Sequence, residues 1–560
     1  MAGQSRRWMI LVATVWIQAF TGTNFDFSAY SSEMKAVLGI SQVQLNYLAT
    51  ASDLGKAVGW SSGLALMWLP LWAVLMAAAA MGMVGYGGQW LVLRGVVAVP
   101  YFVVFLLCLL CGTSICWFNT VCFVLCIRNF PAAVPLSLSL TVAFNGVSAA
   151  LYNLAAASLD RRAPSGAAYL LLNALLPLIA SLAALVPVIR QPPRGPRPPD
   201  LVKRDQVTFL KIYALAAVTG VYLLLLRTSD CLTARFLFSG AVVLLVSPLA
   251  IPGVVYARDW FERTVYSSFR LDGSGFILVD AEHLEIHKEL LSRPSSVENG
   301  LNELGNDDVG GRGGGCGACA VEGDRLAMLG QEHSVGMLVR RLDFWLYYAA
   351  YFCGGTIGLV YSNNLGQIAQ SLGHAVMNSN LITVYSTFSF FGRLLSAAPD
   401  FVRTKFYFAR TGWLSIALLP TPLAFFFLAA LAGDPLAVQA GTALIGLSSG
   451  FIFAAAVSIT SELFGPESVG VNHNILITNI PIGSLVYGFL SATVYDSNAY
   501  KPHSDGLVAD TLVCMGKKCY FLTFVGWGCI SLIGLGSSVL LFLRTRHAYC
   551  RFENSRRSTL

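Results

Sequence analysis

The sequence predicts an all-α polytopic membrane protein: two parallel six-helix halves with an extra central helix pair, about fourteen spans in all. Three observations predict it. Hydrophobic residues fill 55% of the 560 positions and charged ones only 12%, and the mean hydropathy is +0.63, far from the balance of soluble domains. Apolar runs of about 20 residues recur along nearly the whole chain, each long enough to cross ~30 Å of hydrocarbon as a helix. Short motifs of the first half return in the second at a nearly constant offset, the mark of an internal repeat.

Taken in order, spans are expected near 8–28, 43–66, 69–92, 100–127, 134–158 and 166–189, then 208–227 and 236–256. After a long polar stretch come 344–364, 376–398, 411–432, 437–461, 473–495 and 520–544. The first follows Arg6 and Arg7 as a signal peptide would, yet it lacks a clear small-x-small cleavage site and reads as a retained helix. Cys108, Cys111, Cys116, Cys122 and Cys126 share one apolar run, where they serve as small packing residues. Cys514 and Cys519 sit in the polar loop VCMGKKCY and could form a local disulfide if that loop faces outside.

The short loops give the orientation. Arg6, Arg7, Arg128, Arg190, Arg194, Arg197, Lys203, Arg204, Arg403, Lys405, Arg410 and the tail arginines gather on one side. Lys35, Arg94, Arg161, Arg162, Arg227, Arg235, Lys501, Lys517 and Lys518 fall on the other. The richer side is expected to be cytosolic, together with both termini and the long loop, and the plasma membrane is the expected location. The chain then divides into 1–256 (the first half plus the extra pair), a partly disordered cytosolic loop over 257–342, the second half over 343–545 and a tail over 546–560.

The net charge of +7 comes from these short loops, with no basic arm or aromatic-interleaved patch for nucleic acid. In the long loop, His283 and His287 stand four residues apart, and Cys316 and Cys319 form a C-x-x-C within a glycine-rich tract. That arrangement is poor ground for a metal site, so neither metal nor cofactor is expected. No GxxxxGK[ST] phosphate loop is present to power a pump, and no intramembrane nucleophile–base set suggests an enzyme.

The repeat pairs Tyr30-Ser31 with Tyr361-Ser362, Leu54-Gly55-Lys56 with Phe391-Gly392-Arg393, and Arg128-Asn129-Phe130-Pro131 with Glu462-Leu463-Phe464-Gly465. Parallel repeats about an axis normal to the membrane are a transporter design. The stretches RWMILVATVWIQAFTGTNFDFSAYSSEMKAVLGISQVQLNYLATASDLGKAVGW and PYFVVFLLCLLCGTSICWFNTVCFVLCIRNFP, with LSLSLTVAFNGVSAALYNL after them, resemble the plant nodulin-like major facilitator proteins, the nuclear-fusion-defective-four-like group. The resemblance implies a major facilitator fold, a plant source and distant kinship to oxalate/formate and monocarboxylate carriers. It supplies no substrate. The superfamily's loop motif survives only in the second half, as Gly392-Arg393-Leu394-Leu395-Ser396 leading to Asp400, Arg403 and Lys405. The first half reads GWSSGLALMWLP there, without an acid or base.

Ionisable groups inside apolar segments are the candidate sites, because each costs at least ~2.5–3.5 kcal/mol at membrane depth and so faces a bundle interior or a cavity. Asp26 follows Gln18 and Gly22 at four-residue steps and either carries a proton or sits at the outer interface as a cap or hydrogen-bond acceptor. Asp53 and Lys56 are one turn apart, as a self-neutralising pair or with Lys56 free to attract an anion. Asn145 and Asn119 are polar groups that must find hydrogen bonds. Arg128, Arg393, Asp400, Arg403 and Glu462 are expected to form a cytosolic gate. Together they suggest a secondary transporter working by alternating access on a small organic solute, an anion by the lysine and the kinship, with Asp26 or Asp53 as candidates for proton coupling. The rival is a membrane receptor or scaffold that signals through the 257–342 loop.

Overall fold

In hydrocarbon every peptide N–H and C=O needs a partner within the protein, and a helix supplies them within one segment. The computed structural model describes residues 2–159, 165–192, 199–225, 231–258, 326, 328–373, 377–403, 407–466, 468–499 and 514–558. Among them every regular element is helical. The His283, His287, Cys316 and Cys319 group, most of the 257–342 loop, and Arg161, Arg162, Arg194, Arg197, Arg227, Lys405 and Lys501 lie outside the described residues.

The first half runs α1 (Ala2–Thr21), α2 (Phe27–Leu38), α3 (Gln42–Ala57), α4 (Trp60–Trp68), α5 (Leu71–Leu93), α6 (Tyr101–Asn129), α7 (Val134–Leu159) and α8 (Gly166–Ile189). The extra pair is α9 (Pro199–Leu225) and α10 (Cys231–Val246). The second half runs α11 (Leu342–Tyr351), α12 (Ile357–Asn363), α13 (Leu365–Ser371), α14 (Asn378–Leu395), α15 (Ala398–Val402), α16 (Arg410–Leu418), α17 (Pro420–Leu431), α18 (Pro435–Phe464), α19 (Val469–Ile477), α20 (Asn479–Ser497) and α21 (Phe521–Ser558).

Eleven helical segments among the described residues are long and apolar enough to cross a membrane. Fourteen were expected from the sequence; the three expected near 8–28, 43–66 and 344–364 are not among the eleven and fall on the interrupted segments α1–α2, α3–α4 and α11–α13. The first breaks at Gly22–Asp26, where Phe25 N–H bonds back to the Gly22 carbonyl at 3.2 Å. The third carries a π-helical turn over Phe352–Thr356. The expected tail boundary at 545 also shifts, because α21 continues as one helix to Ser558.

The repeat is visible in the packing. A Cβ on Gly55 would strike the Leu109 carbonyl, and one on Gly112 the Ser52 carbonyl, so α3 and α6 touch backbone to backbone. Gly392 and Gly450 hold α14 and α18 together in the same way, against the Leu447 and Ser389 carbonyls. Each of these residues recurs about 337 positions later, close to the offsets of about 331–337 between the sequence motifs. Small residues at such crossings are how membrane helices approach closely without a hydrophobic driving force.

The halves meet along two seams. Helix α7 lies against α14: Ser386 Oγ donates to the Gly146 carbonyl at 2.5 Å, and Asn153 Nδ2 to Thr383 Oγ1 at 2.8 Å. Helix α3 lies against α20, with Asn46 Nδ2 donating to the Gly488 carbonyl at 3.0 Å. At the end the sequence assigns to the outside, Gln367 Nε2 on α13 reaches Ser31 Oγ on α2 at 3.1 Å. At the opposite end Ser396 Oγ donates to Ser139 Oγ at 3.0 Å, and Leu136, Leu394, Ala397, Val457 and Val469 share one apolar cluster. The halves therefore touch at both ends of the seam. The extra pair covers the α7–α14 side: Tyr213 of α9 donates to the Leu136 carbonyl at 2.8 Å and packs on the Phe401 ring at 5.3 Å.

Candidate functional site

The buried polar centre starts from Gly392. With no side chain there, α14 presses on α18, and Arg393 stands buried beside the first half at 3% exposure. Its Nη1 donates to the Val142 carbonyl at 2.9 Å and to Asn145 Oδ1 at 3.2 Å. Its guanidinium lies 5.2 Å from the Phe25 ring centre and 5.5 Å from that of Phe453. Rings can support a cation in this way, but they do not neutralise it. No carboxylate pairs with Arg393 among the described residues. Two donors remain buried without a protein partner: Arg393 Nε and Asn145 Nδ2, one from each half. They sit on side chains already joined by a hydrogen bond.

Lys56 occupies the matching position of the first half, and its surroundings differ. Its Nζ is 2.6 Å from Asp53 Oδ1, one turn earlier on α3. The other oxygen of Asp53 accepts a hydrogen bond from Ser484 Oγ on α20, so the pair is tied into the seam. Where the first half has Asp53, the second has Phe390. Tyr351 lies within electrostatic reach of both Arg393 and Asp53.

Asp26 lies in the break between α1 and α2 at 0% exposure. Because α1 ends at Thr21, Gln18 and Asp26 do not share one continuous helical face as their spacing suggests. Gln18 turns to Asn119 instead, Nε2 to Oδ1 at 2.8 Å. Nor does Asp26 cap α2 with its side chain. Its Oδ1 accepts from Asn173 Nδ2 at 3.1 Å, while Asp26 Oδ2 and Asn173 Oδ1 are both buried without a partner. Tyr30, Tyr86, Tyr152 and Tyr169 lie within electrostatic reach of it. A cavity of about 20 Å³ is lined by Asn24, Tyr30, Asp53, Tyr86, Gln89 and Asn363 among others. That is room for about one water.

Two of the expected gate residues, Asp400 and Glu462, come together on a residue the gate did not include. Arg410 holds Asp400 at 2.8 Å and Glu462 at 2.9 Å, and Tyr549 OH donates to Glu462 at 2.8 Å. Arg403 pairs with Glu553 of α21 at 2.8 Å. These contacts lie within the second half, where they tie α15, α16, α18 and α21 together. Arg393 lies apart in the seam, and Arg128 stands on the last turn of α6. Cys514 and Cys519 are joined in a disulfide, and Gly516 N–H between them bonds to the Ser371 carbonyl at the end of α13, 2.7 Å away. No group of three His, Cys, Asp or Glu side chains suited to a metal occurs among the described residues.

Three residues were missed by sequence reasoning. Asn173 lies in the apolar run YLLLNALLPL, where the rule that selected Asn145 would also have selected it. Arg410, counted only for orientation, opens a span beside Asp400 in sequence. Ser484 carried no signal, since a serine in a span is ordinary.

Two six-helix bundles related by an internal repeat and meeting along two seams define a major facilitator fold, an architecture of membrane transporters. It matches a solved auto-inhibited peptide transporter of the POT family with a TM-score of 0.50 and 12% identity, covering 97% of each chain. Residues 7–253 match the nodulin-like family, and residues 328–551 match the NFD4 C-terminal domain. The chain is 56% identical to the protein NUCLEAR FUSION DEFECTIVE 4 of Arabidopsis thaliana, over 99% of its own length and 92% of that protein. It thus belongs to the nodulin-like family. A weaker relative is a probable transporter, mch1, of Emericella nidulans, 28% identical over 33% of this chain and 34% of that one.

Proposed function

We propose that this protein is a secondary transporter that moves a small organic anion through the seam between its halves by alternating access, with Arg393 and Asn145 as the anion site. The observation that carries the proposal is the pair of unused buried donors, Arg393 Nε and Asn145 Nδ2, beside a guanidinium that lacks a carboxylate. Burying an ion without its counter-ion costs several kcal/mol, so a cargo that brings the missing charge is strongly favoured there. A carboxylate has two oxygens, one for each donor. Lys56 is a weaker candidate, because Asp53 already neutralises it.

Opening toward either side would separate the contacts of one end while keeping those of the other, a rigid-body rocking about the fixed site. The charge cluster around Arg410 keeps the second half rigid as it rocks. The termini and the central loop lie on the cytosolic side in this proposal, on the strength of the basic-residue asymmetry. Uptake of a panel of small organic anions and neutral solutes into proteoliposomes, with and without a pH gradient, tests the proposal. Saturable uptake confined to anions is expected, and uptake of neutral solutes alone would overturn the anion assignment.

A further inference from the structure

We propose that the cavity at the outer end of the α7–α14 seam is a binding site for a sterol of the outer leaflet, its hydroxyl held by Asn380 and Gln439. The inference goes beyond the transporter reading and does not depend on what the protein carries.

The cavity has a volume of about 390 Å³, a size that holds a drug-sized molecule. Helices α7, α14 and α18 each line it with one face, at steps of three and four residues, as Leu436, Gln439, Ala440 and Ala443 do on α18. Leu223 and Leu224 of α9 close one side, so the extra helix pair supplies a wall of the site. Both halves and the extra pair therefore meet around it.

Polar and apolar groups are sorted by depth. Helix α14 follows directly on α13, whose Gln367 meets Ser31 at the outer end of the seam. Along α14, Asn380 and Thr383 precede Val384 and Phe388, and along α18, Gln439 precedes Ala440 and Ala443. Helix α7 runs the opposite way, and there Asn153 lies outward of Ala150. Asn380 and Phe388 are eight residues apart, about 12 Å of helix. A polar outer rim thus leads down to an apolar floor, the polarity of a lipid standing in the outer leaflet.

The hydrogen bonds select the head group. Asn153 is spent: its Oδ1 accepts from Tyr169 OH at 2.7 Å and Ser379 Oγ at 2.8 Å, and its Nδ2 donates to Thr383 Oγ1 and the Ser379 carbonyl. The side-chain amides of Asn380 and Gln439 bond to no other described residue. One hydroxyl complements them, donating to one amide oxygen while accepting from the other amide's N–H. No lining residue is ionisable, so a phosphate or carboxylate head would find no cation there. Below the rim, Ala150, Ala440 and Ala443 leave a smooth slot beside the Phe388 ring. A rigid, flat ring body enters such a slot with less loss of conformational freedom than an acyl chain. Leu436 and Ala440 are exposed, as are Leu225 and Leu444 nearby, so the ligand enters from the bilayer.

The Asn153 bonds to Ser379 and Thr383 join the two halves beside this cavity. A molecule seated across α7, α9, α14 and α18 binds only while these helices stay together, so it favours the state closed at the outer end.

Binding of radiolabelled cholesterol to the purified full-length protein in detergent tests the site. Saturable binding is expected, with a rise in melting temperature as cholesterol is added. The Asn380→Leu/Gln439→Leu double variant should bind about tenfold more weakly or worse. Ala440→Trp, at an exposed position, should fill the slot and abolish binding without lowering the sterol-free melting temperature. Cholestane, which has the ring body without the hydroxyl, should compete poorly. No saturable binding in the wild type, or unchanged binding in both variants, overturns the site. Should the variants not fold, competition on the wild type decides. Cholestane competing as well as cholesterol, or dioctanoylglycerol or phosphatidylcholine competing better, overturns the sterol assignment.

Discussion

Lys56 and Arg393 are the same position in two copies of one design. Each follows a glycine that brings its helix onto the backbone of the next, and each carries a cation into the interior. They differ one turn earlier, where the first half has Asp53 and the second Phe390. The carboxylate converts Lys56 into part of the scaffold, bonded across the seam to Ser484. Without one, Arg393 is left with carbonyl, amide and ring contacts, none of which carries a full negative charge. The lesson is that a repeat fixes where a charge sits, and one neighbouring residue decides whether that charge is structural or available.

The largest effect should come from breaking the quenched pair. Asp53→Asn strands Lys56 and should cost about 3–5 kcal/mol, seen as a lowered melting temperature in detergent. Adding Lys56→Gln should recover most of that loss and leave anion affinity near wild type. A double variant that folds but loses affinity would move the anion site to Lys56. The complementary change moves the asymmetry itself: Phe390→Asp places a carboxylate one turn before Arg393. Anion affinity should then fall about tenfold or more, equivalent to about 1.4 kcal/mol. Phe390→Asn should lose far less, because it alters the packing against Gly146 without adding charge.

The repeat makes a smaller, symmetric prediction. Gly55→Ala and Gly392→Ala each force a methyl onto a backbone carbonyl, and each should cost about 1–3 kcal/mol in thermal stability, by similar amounts. A large cost at one and none at the other would show that the two crossings are not equivalent. The smallest effect is expected at the partly exposed brace. Glu462→Gln should cost about 1 kcal/mol or less and shrink further in high salt, read from melting curves at two ionic strengths.

Much of this fold was legible in the sequence because the bilayer enforces it. Long apolar runs have few alternatives to helix, and the repeat fixed which helices correspond. The interruptions were less visible. The stretch Gly22-Thr23-Asn24-Phe25-Asp26 does interrupt the apolar pattern, but the first span was read straight through it. For the same reason the spacing placed Gln18 and Asp26 on one face when they are not. Arg393 was read only as a cytosolic gate residue, since its burial and its lack of a carboxylate depend on α7 across the seam. The gate reading failed to separate it from Asp400, Arg403 and Glu462 because sequence order places all four near helix ends. Only the fold reveals that Arg410 collects two of the acids while Arg393 turns inward.

The central claim is that Arg393 is left without a counter-charge so that the cargo can provide one. The most direct measurement is the anion affinity and ligand-free melting temperature of Arg393→Gln, beside the Asp53→Asn/Lys56→Gln double variant. An unpaired buried charge does not stabilise the empty protein, so Arg393→Gln should melt no lower than wild type while its anion affinity drops about tenfold or more. An Arg393→Gln protein that binds the anion as tightly as wild type, or one that is strongly destabilised before any cargo is added, would contradict the account.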